Sequence, residues 1–166
     1  MTRTITPLPL TPEAFAPFGD VLLVEGEPDW IINQGMCGRY HDLAELDFTD
    51  GRAGINLFNA VPRGLPYKLD MVERHPLGSQ AFLPMSENPF LVIVAPALES
   101  GPGTPVAFIT KPGQGVNYHR NVWHGVLTPL SAPGLFAVVD RIGDGANLEE
   151  HWFEEAYTIV GNDALK

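Results

Sequence analysis

A chain of 166 residues, 45% hydrophobic and 18% charged, carries enough apolar material for one packed domain and too little charge for disorder. Ten basic residues stand against twenty acidic ones, and a formal net charge of −10 disfavours nucleic acid and anionic membrane surfaces as partners. No apolar run approaches the roughly 20 residues of a membrane span, the opening MTRTITPLPL has no continuous apolar signal region, and the expectation is a soluble cytoplasmic protein.

The 17 Gly and 16 Pro are scattered between apolar runs, a pattern that suits many short strands joined by turns and disfavours long helices. LTPEAFAPFGD predicts a short N-terminal helix, with Thr11 as cap, Pro12 at the first helical position and Gly19 as stop. Cys37, the lone cysteine, excludes an internal disulfide and a multi-cysteine zinc site, and reads as a reduced thiol. RYHDLAELDF predicts another turn of helix. Strands are predicted over GINLFNAV (54–61), YKLDMVERH (67–75), FLVIVA (90–95), PVAFIT (105–110) and LFAVVD (135–140). FLVIVA is apolar on both parities, so both its faces should be covered. The tail NLEEHWFEEAYTIV fits a short helix or an edge strand equally. Turn chemistry between the strands, with no repeat and no linker, indicates one sandwich or barrel.

No G-x-S-x-G elbow, phosphate-binding G-x-x-x-x-G-K-[ST] loop, H-E-x-x-H motif or cysteine pair is present, so nucleotide chemistry and serine hydrolysis lose ground. Two polar clusters remain. In ERHPLGSQAFLPM, strand parity puts Glu73 and His75 on one face and Arg74 on the other; a turn at PLG predicts a hairpin that brings Gln80 beside them. The second is GQGVNYHRNVWHGV. Its His119 and His124 are five residues apart, so they share a cavity only if RNVW bends the chain. Trp123 reads as packing, and Asn117 and Asn121 as turn formers.

These two segments, with RYHDL around Arg39 and VVDR ending at Arg141, resemble the ureidoglycolate lyase family, in order and spacing along nearly the whole chain. The resemblance implies a single cupin-like catalytic domain over 1–166. Its fold would be all-β with short helices, a double-stranded β-helix (jelly-roll) barrel working as a homodimer. It also implies an enzyme that splits ureidoglycolate into glyoxylate and urea in allantoin (purine) degradation. A divalent metal, nickel in the common assignment, goes with that family, and its ligand positions fall on Glu73, His75, Gln80 and His124. Glu73 stands where a cupin has its first histidine and Gln80 where it has a carboxylate. With two imidazoles left, a metallated and a metal-free site both stay open.

Elimination from the carbinolamide carbon needs a base for the hydroxyl proton, an acid for the departing nitrogen and a cation for the carboxylate. Histidine titrates near working pH and suits both proton transfers. His75 or His124 is the candidate base or metal ligand, His119 the acid, and Glu73 an orienting group or itself the base. Arg120 and Arg141 are the candidate carboxylate clamps, because a guanidinium grips a carboxylate bidentately. Asn117 and Tyr118 are placed to hydrogen-bond the ureido group. Two rivals remain at this level: an amidohydrolase releasing ammonia, and a cupin-like module that binds a small carboxylate without turnover.

Overall fold

Frequent Pro and Gly cut the chain into short extended segments, and the structure, a computed structural model, describes residues 3–161. In chain order come β1 (Arg3–Ile5), β2 (Leu8–Pro9), the one-turn helix α1 (Pro12–Phe15), β3 (Gly19–Leu22), β4 (Trp30–Ile32), β5 (Cys37–Arg39) and β6 (Arg52–Asn59). They are followed by β7 (Tyr67–Arg74), β8 (Gln80–Pro84), β9 (Phe90–Ala95), β10 (Ala97–Leu98), β11 (Gly101–Pro102) and β12 (Val106–Ile109). The last stretch supplies β13 (Gly115–Tyr118), β14 (Trp123–His124), β15 (Thr128–Pro129), β16 (Leu135–Ile142) and β17 (Glu149–Ile159).

Two sheets make the body. The larger has the order β1-β17-β7-β14-β9-β12-β2, with β15 also on β9, and the smaller the order β3-β13-β8-β16-β6. Most neighbours are antiparallel, while β1 on β17 and β2 on β12 are parallel. The sheets curl into a cupin-like, all-β jelly-roll barrel. Alternation decides which side chains fill it. Phe90, Val92 and Val94 of β9 pack on Phe82, Val116, Tyr118, Phe136 and Val138 of the smaller sheet. Phe90 and Phe136 meet edge to face at 4.9 Å. The other parity of β9, Leu91, Ile93 and Ala95, joins Val72, Ala107, Trp123 and Ile159 in a second apolar layer. FLVIVA is therefore buried on both faces, as its composition requires.

The helix forms where predicted. Thr11 Oγ1 accepts from Ala14 N at 3.2 Å, and Phe15 drops into the barrel core. Gly19 ends the turn for a steric reason as well: a Cβ there would lie 1.9 Å from Asn117 O on β13. Three expectations are corrected. RYHDLAELDF holds no helix, and α1 is the only helix among the described residues. The segment instead runs as an extended strap beside 77–79, because the backbone groups there need partners. Ser79 N donates to Asp47 O, Thr49 N donates to Leu77 O, and Phe48 bridges Gly78. β7 and β8 are not a hairpin, since PLG turns the chain from one sheet into the other. The tail is a strand, and an interior one, paired with β7 on one side and β1 on the other.

Candidate active site

The site begins with β14, two residues long, wedged between β7 and β9. His124 lies opposite both Val94 and Glu73. Val94 belongs to the barrel core, so His124 and Glu73 face inward too, and the period of two puts His75 on the same side. The His75 and His124 rings are 5.2 Å apart, and His75 Nε2 lies 4.0 Å from Glu73 Oε1. One donor atom from each of Glu73, His75 and His124 falls within 4.8 Å of the other two.

Backbone carbonyls set both imidazoles. His75 Nδ1 meets Asn147 O at 2.7 Å, and His124 Nδ1 meets Gly125 O at 2.9 Å. A carbonyl only accepts, so each Nδ1 carries a proton, and each ring in its neutral form presents its Nε2 lone pair. Both Nε2 atoms are buried without a partner, and so is Gln80 Oε1. Gln80 reaches the same interior from β8, in register with Tyr118 of β13, whose ring stacks on His124. Its amide donates to Asp140 Oδ2 at 3.2 Å, while Asn56 Nδ2 donates to Asp140 Oδ1 at 2.8 Å.

Burial governs the charges. It pushes His124 down to about 3, with the charge of His75 as the second cause, partly offset by the bond to Gly125. Burial likewise raises Glu73, against the pull of His75 and with a further push from Glu150. Tyr118 is raised, by burial first and by Glu73 second, and stays a phenol. These are groups ready to hold a cation or pass a proton. Two imidazole nitrogens and a carboxylate fit a borderline divalent ion, the Gln80 amide oxygen is a poorer donor for one, and both Nε2 atoms and Gln80 Oε1 have no hydrogen-bond partner.

The remaining predicted residues do not join this cluster. His119 and Arg120 line an open groove of about 360 Å³ with Glu45, Asp47 and Ser79. His119 Nε2 lies 3.1 Å from Asp20 Oδ2, and Arg120 pairs with Asp47 at 3.2 Å and Thr49 at 2.5 Å. The bend at RNVW exists, with Asn121 at φ 67°, yet it follows His119 and leaves that ring outside. Asn117 is on the outward parity of β13, where it donates to Asp20 and Glu45 O, so it is a strand residue and not a turn former. Arg141 also points away from the interior. Its guanidinium donates to the carbonyls of Thr49, Asp50 and Asp144, which leaves it no free edge for a carboxylate. Arg74 lies outside as expected, over the Trp123 ring and paired with Glu149.

Four contributors went unread in the sequence: Asp140, Asn56, Asn147 and the Gly125 carbonyl. Asp140 had a signal, since Phe136, Val138 and Asp140 share one parity and a carboxylate ends an otherwise apolar face. A backbone carbonyl leaves no such mark.

The family model described as ureidoglycolate lyase matches residues 2–160. The chain is 65% identical over 147 residues to a ureidoglycolate lyase of Rhodobacter capsulatus, covering 86% of this chain and 89% of that protein. It is 58% identical over 161 residues to one of Mesorhizobium japonicum, covering 96% and 98%. Against one of Chelativorans sp. it is 54% identical over 159 residues, covering 95% and 96%.

Proposed function

The chain belongs to the ureidoglycolate lyase family, and from that premise we propose that it splits ureidoglycolate into glyoxylate and urea at the inward cluster of Glu73, His75 and His124. The observation that carries the placement is the convergence of their donor atoms within 4.8 Å, beneath the stacked Tyr118 ring.

Elimination conserves the proton. The hydroxyl hydrogen leaves oxygen as the C–O bond becomes a carbonyl, the C–N bond breaks, and a hydrogen arrives on the departing urea nitrogen. One carrier suffices, and Glu73 is suited to it: burial raises its affinity for a proton, and His75 lies beside it. His75 and His124 have Nδ1 tied to carbonyls, so each offers Nε2 as an acceptor. Tyr118, kept protonated, is the donor for the ureido group. This replaces His119 as acid, because His119 lies on the outer groove.

A divalent cation, nickel in this proposal, would be held by His75 Nε2, His124 Nε2 and a Glu73 oxygen, with Gln80 Oε1 beside them. Such an ion supplies a Lewis acid for a substrate oxygen. A second copy of the chain is the proposed partner. On the smaller sheet Ile55 and Leu57 of β6 and Leu83 of β8 are exposed on either side of β16, with Met85 exposed just past β8, a patch that association would cover. The cytoplasm is the proposed compartment, in keeping with the free Cys37 thiol; no helix among the described residues is long and apolar enough to cross a membrane.

Product analysis tests the reaction. Urea and glyoxylate in equal amounts from ureidoglycolate are expected, and release of ammonia in place of urea would overturn the lyase reading.

A further inference from the structure

Asp140 is the buried-side carboxylate that the proton chemistry above leaves unused. It sits on β16 at the inward parity, beyond Phe136 and Val138 of the apolar core. Both its oxygens are engaged by side-chain amides, Oδ2 by Gln80 Nε2 at 3.2 Å and Oδ1 by Asn56 Nδ2 at 2.8 Å.

An amide has two ends of similar shape and opposite polarity, and a glutamine at an inner wall can present either. A carboxylate accepts only. Contact with Asp140 therefore fixes the amino end of Gln80 toward β16 and turns the carbonyl end away from it. In the order β13-β8-β16, the side away from β16 is that of Tyr118, which stacks on His124. The result is a Gln80 Oε1 that is buried and has no partner. Asn56, donating from β6, holds the carboxylate in turn, so the orientation of one inner oxygen is set through three strands.

We propose that Asp140, steadied by Asn56, is a positioning residue that turns the Gln80 carbonyl oxygen into the cavity, where it serves as the neutral oxygen donor beside His75 and His124. This rests on the lyase reading only for the identity of what the oxygen meets. The orientation itself is a property of the chain.

Asp140→Ala removes the acceptor. It is expected to lower kcat/KM for ureidoglycolate by about 10–100-fold and to weaken Ni²⁺ binding, measured by calorimetry, to a similar extent. Asp140→Asn keeps one acceptor oxygen, with Asn56 free to reverse its own amide, and should recover most of both. In a Gln80→Glu background the two oxygens are equivalent and face a second carboxylate that they repel, so Asp140→Ala should cost nothing further there and relieve that repulsion. Side-chain amide NMR of Gln80 reads the orientation directly. Its NH₂ resonances should be shifted and exchange-protected in the unaltered protein and lose both features in Asp140→Ala. Equal losses in both Gln80 backgrounds, or unchanged Gln80 resonances in a folded Asp140→Ala protein, would overturn the proposal. Absence of lyase turnover in the unaltered protein would instead sink the functional reading, while the NMR comparison still decides the role of Asp140.

Discussion

Tyr118 stacks face to face on His124, with ring centroids 4.3 Å apart and planes 9° from parallel. The two residues come from different sheets, so this contact ties the walls of the barrel together at the site. It also separates the two uses of Tyr118, as ring and as hydroxyl. Tyr118→Phe keeps the stack and is expected to raise KM about tenfold, the worth of one hydrogen bond to the ureido group, with little change in kcat. Tyr118→Leu should lower kcat as well, because His124 loses its platform. Steady-state kinetics of the pair checks this, and a silent Tyr118→Phe would remove the hydroxyl from the account.

His75→Ala and His124→Ala should each lower kcat at least about a hundredfold, the usual scale for a proton-transfer or ligand group. Circular dichroism should show both still folded. Near-native turnover in either would place the chemistry elsewhere.

The buried His124 predicts a pH dependence of stability. The ring titrates near pH 6.5 in an unfolded chain but only near about 3 when folded. Between those values the unfolded state binds more protons, so stability falls as the pH drops below about 6.5. The slope approaches about 1.4 kcal/mol per pH unit, or about 2 kcal/mol by pH 5. Glu73 acts with the opposite sign, since its raised affinity lets the folded state take up a proton first. Urea denaturation of the metal-free protein at pH 7 and pH 5 should show the extra loss in the unaltered chain and not in His124→Gln. Identical losses would mean that His124 is not held neutral.

Arg141 is predicted to act on stability alone. Arg141→Met retains the stem that packs over Gly78 but drops three charged donations to backbone carbonyls. The expected cost is about 3 kcal/mol in the denaturation free energy, with kcat/KM of the folded protein within about threefold of normal. A large rise in KM without loss of stability would restore it as a carboxylate clamp.

His119→Ala is expected to leave kcat within about threefold of normal, since its ring lies in the outer groove beside Asp20. A hundredfold loss would return it to the role of acid.

Sequence patterning carried the barrel strands because their apolar runs are local: FLVIVA matches β9 at both ends, and LFAVVD lies within β16. Parity put Glu73 and His75 on one face and the resemblance added His124, and the donor atoms of these three do converge. Patterning failed where partners are distant in the chain. RYHDLAELDF has helical spacing, yet tertiary demand from the unpaired backbone of 77–79 draws it out as a strap. PLG reads as a hairpin turn, and only the topology shows it to be a corner. The two arginines were rated by charge alone, whereas carbonyls and an aspartate had already claimed them.

The interior position of β17 has a consequence for biosynthesis. β7, which carries Glu73, gains one of its two neighbours only from residues 149–159, and His75 gets its tautomer-setting carbonyl from Asn147. Both lie downstream of Glu73, His75 and His124 in the chain and so leave the ribosome after them. A nascent chain stopped between His124 and Asn147 therefore has both imidazoles but lacks the frame that aims them, and competence is switched on only once residues 147–159 have been made.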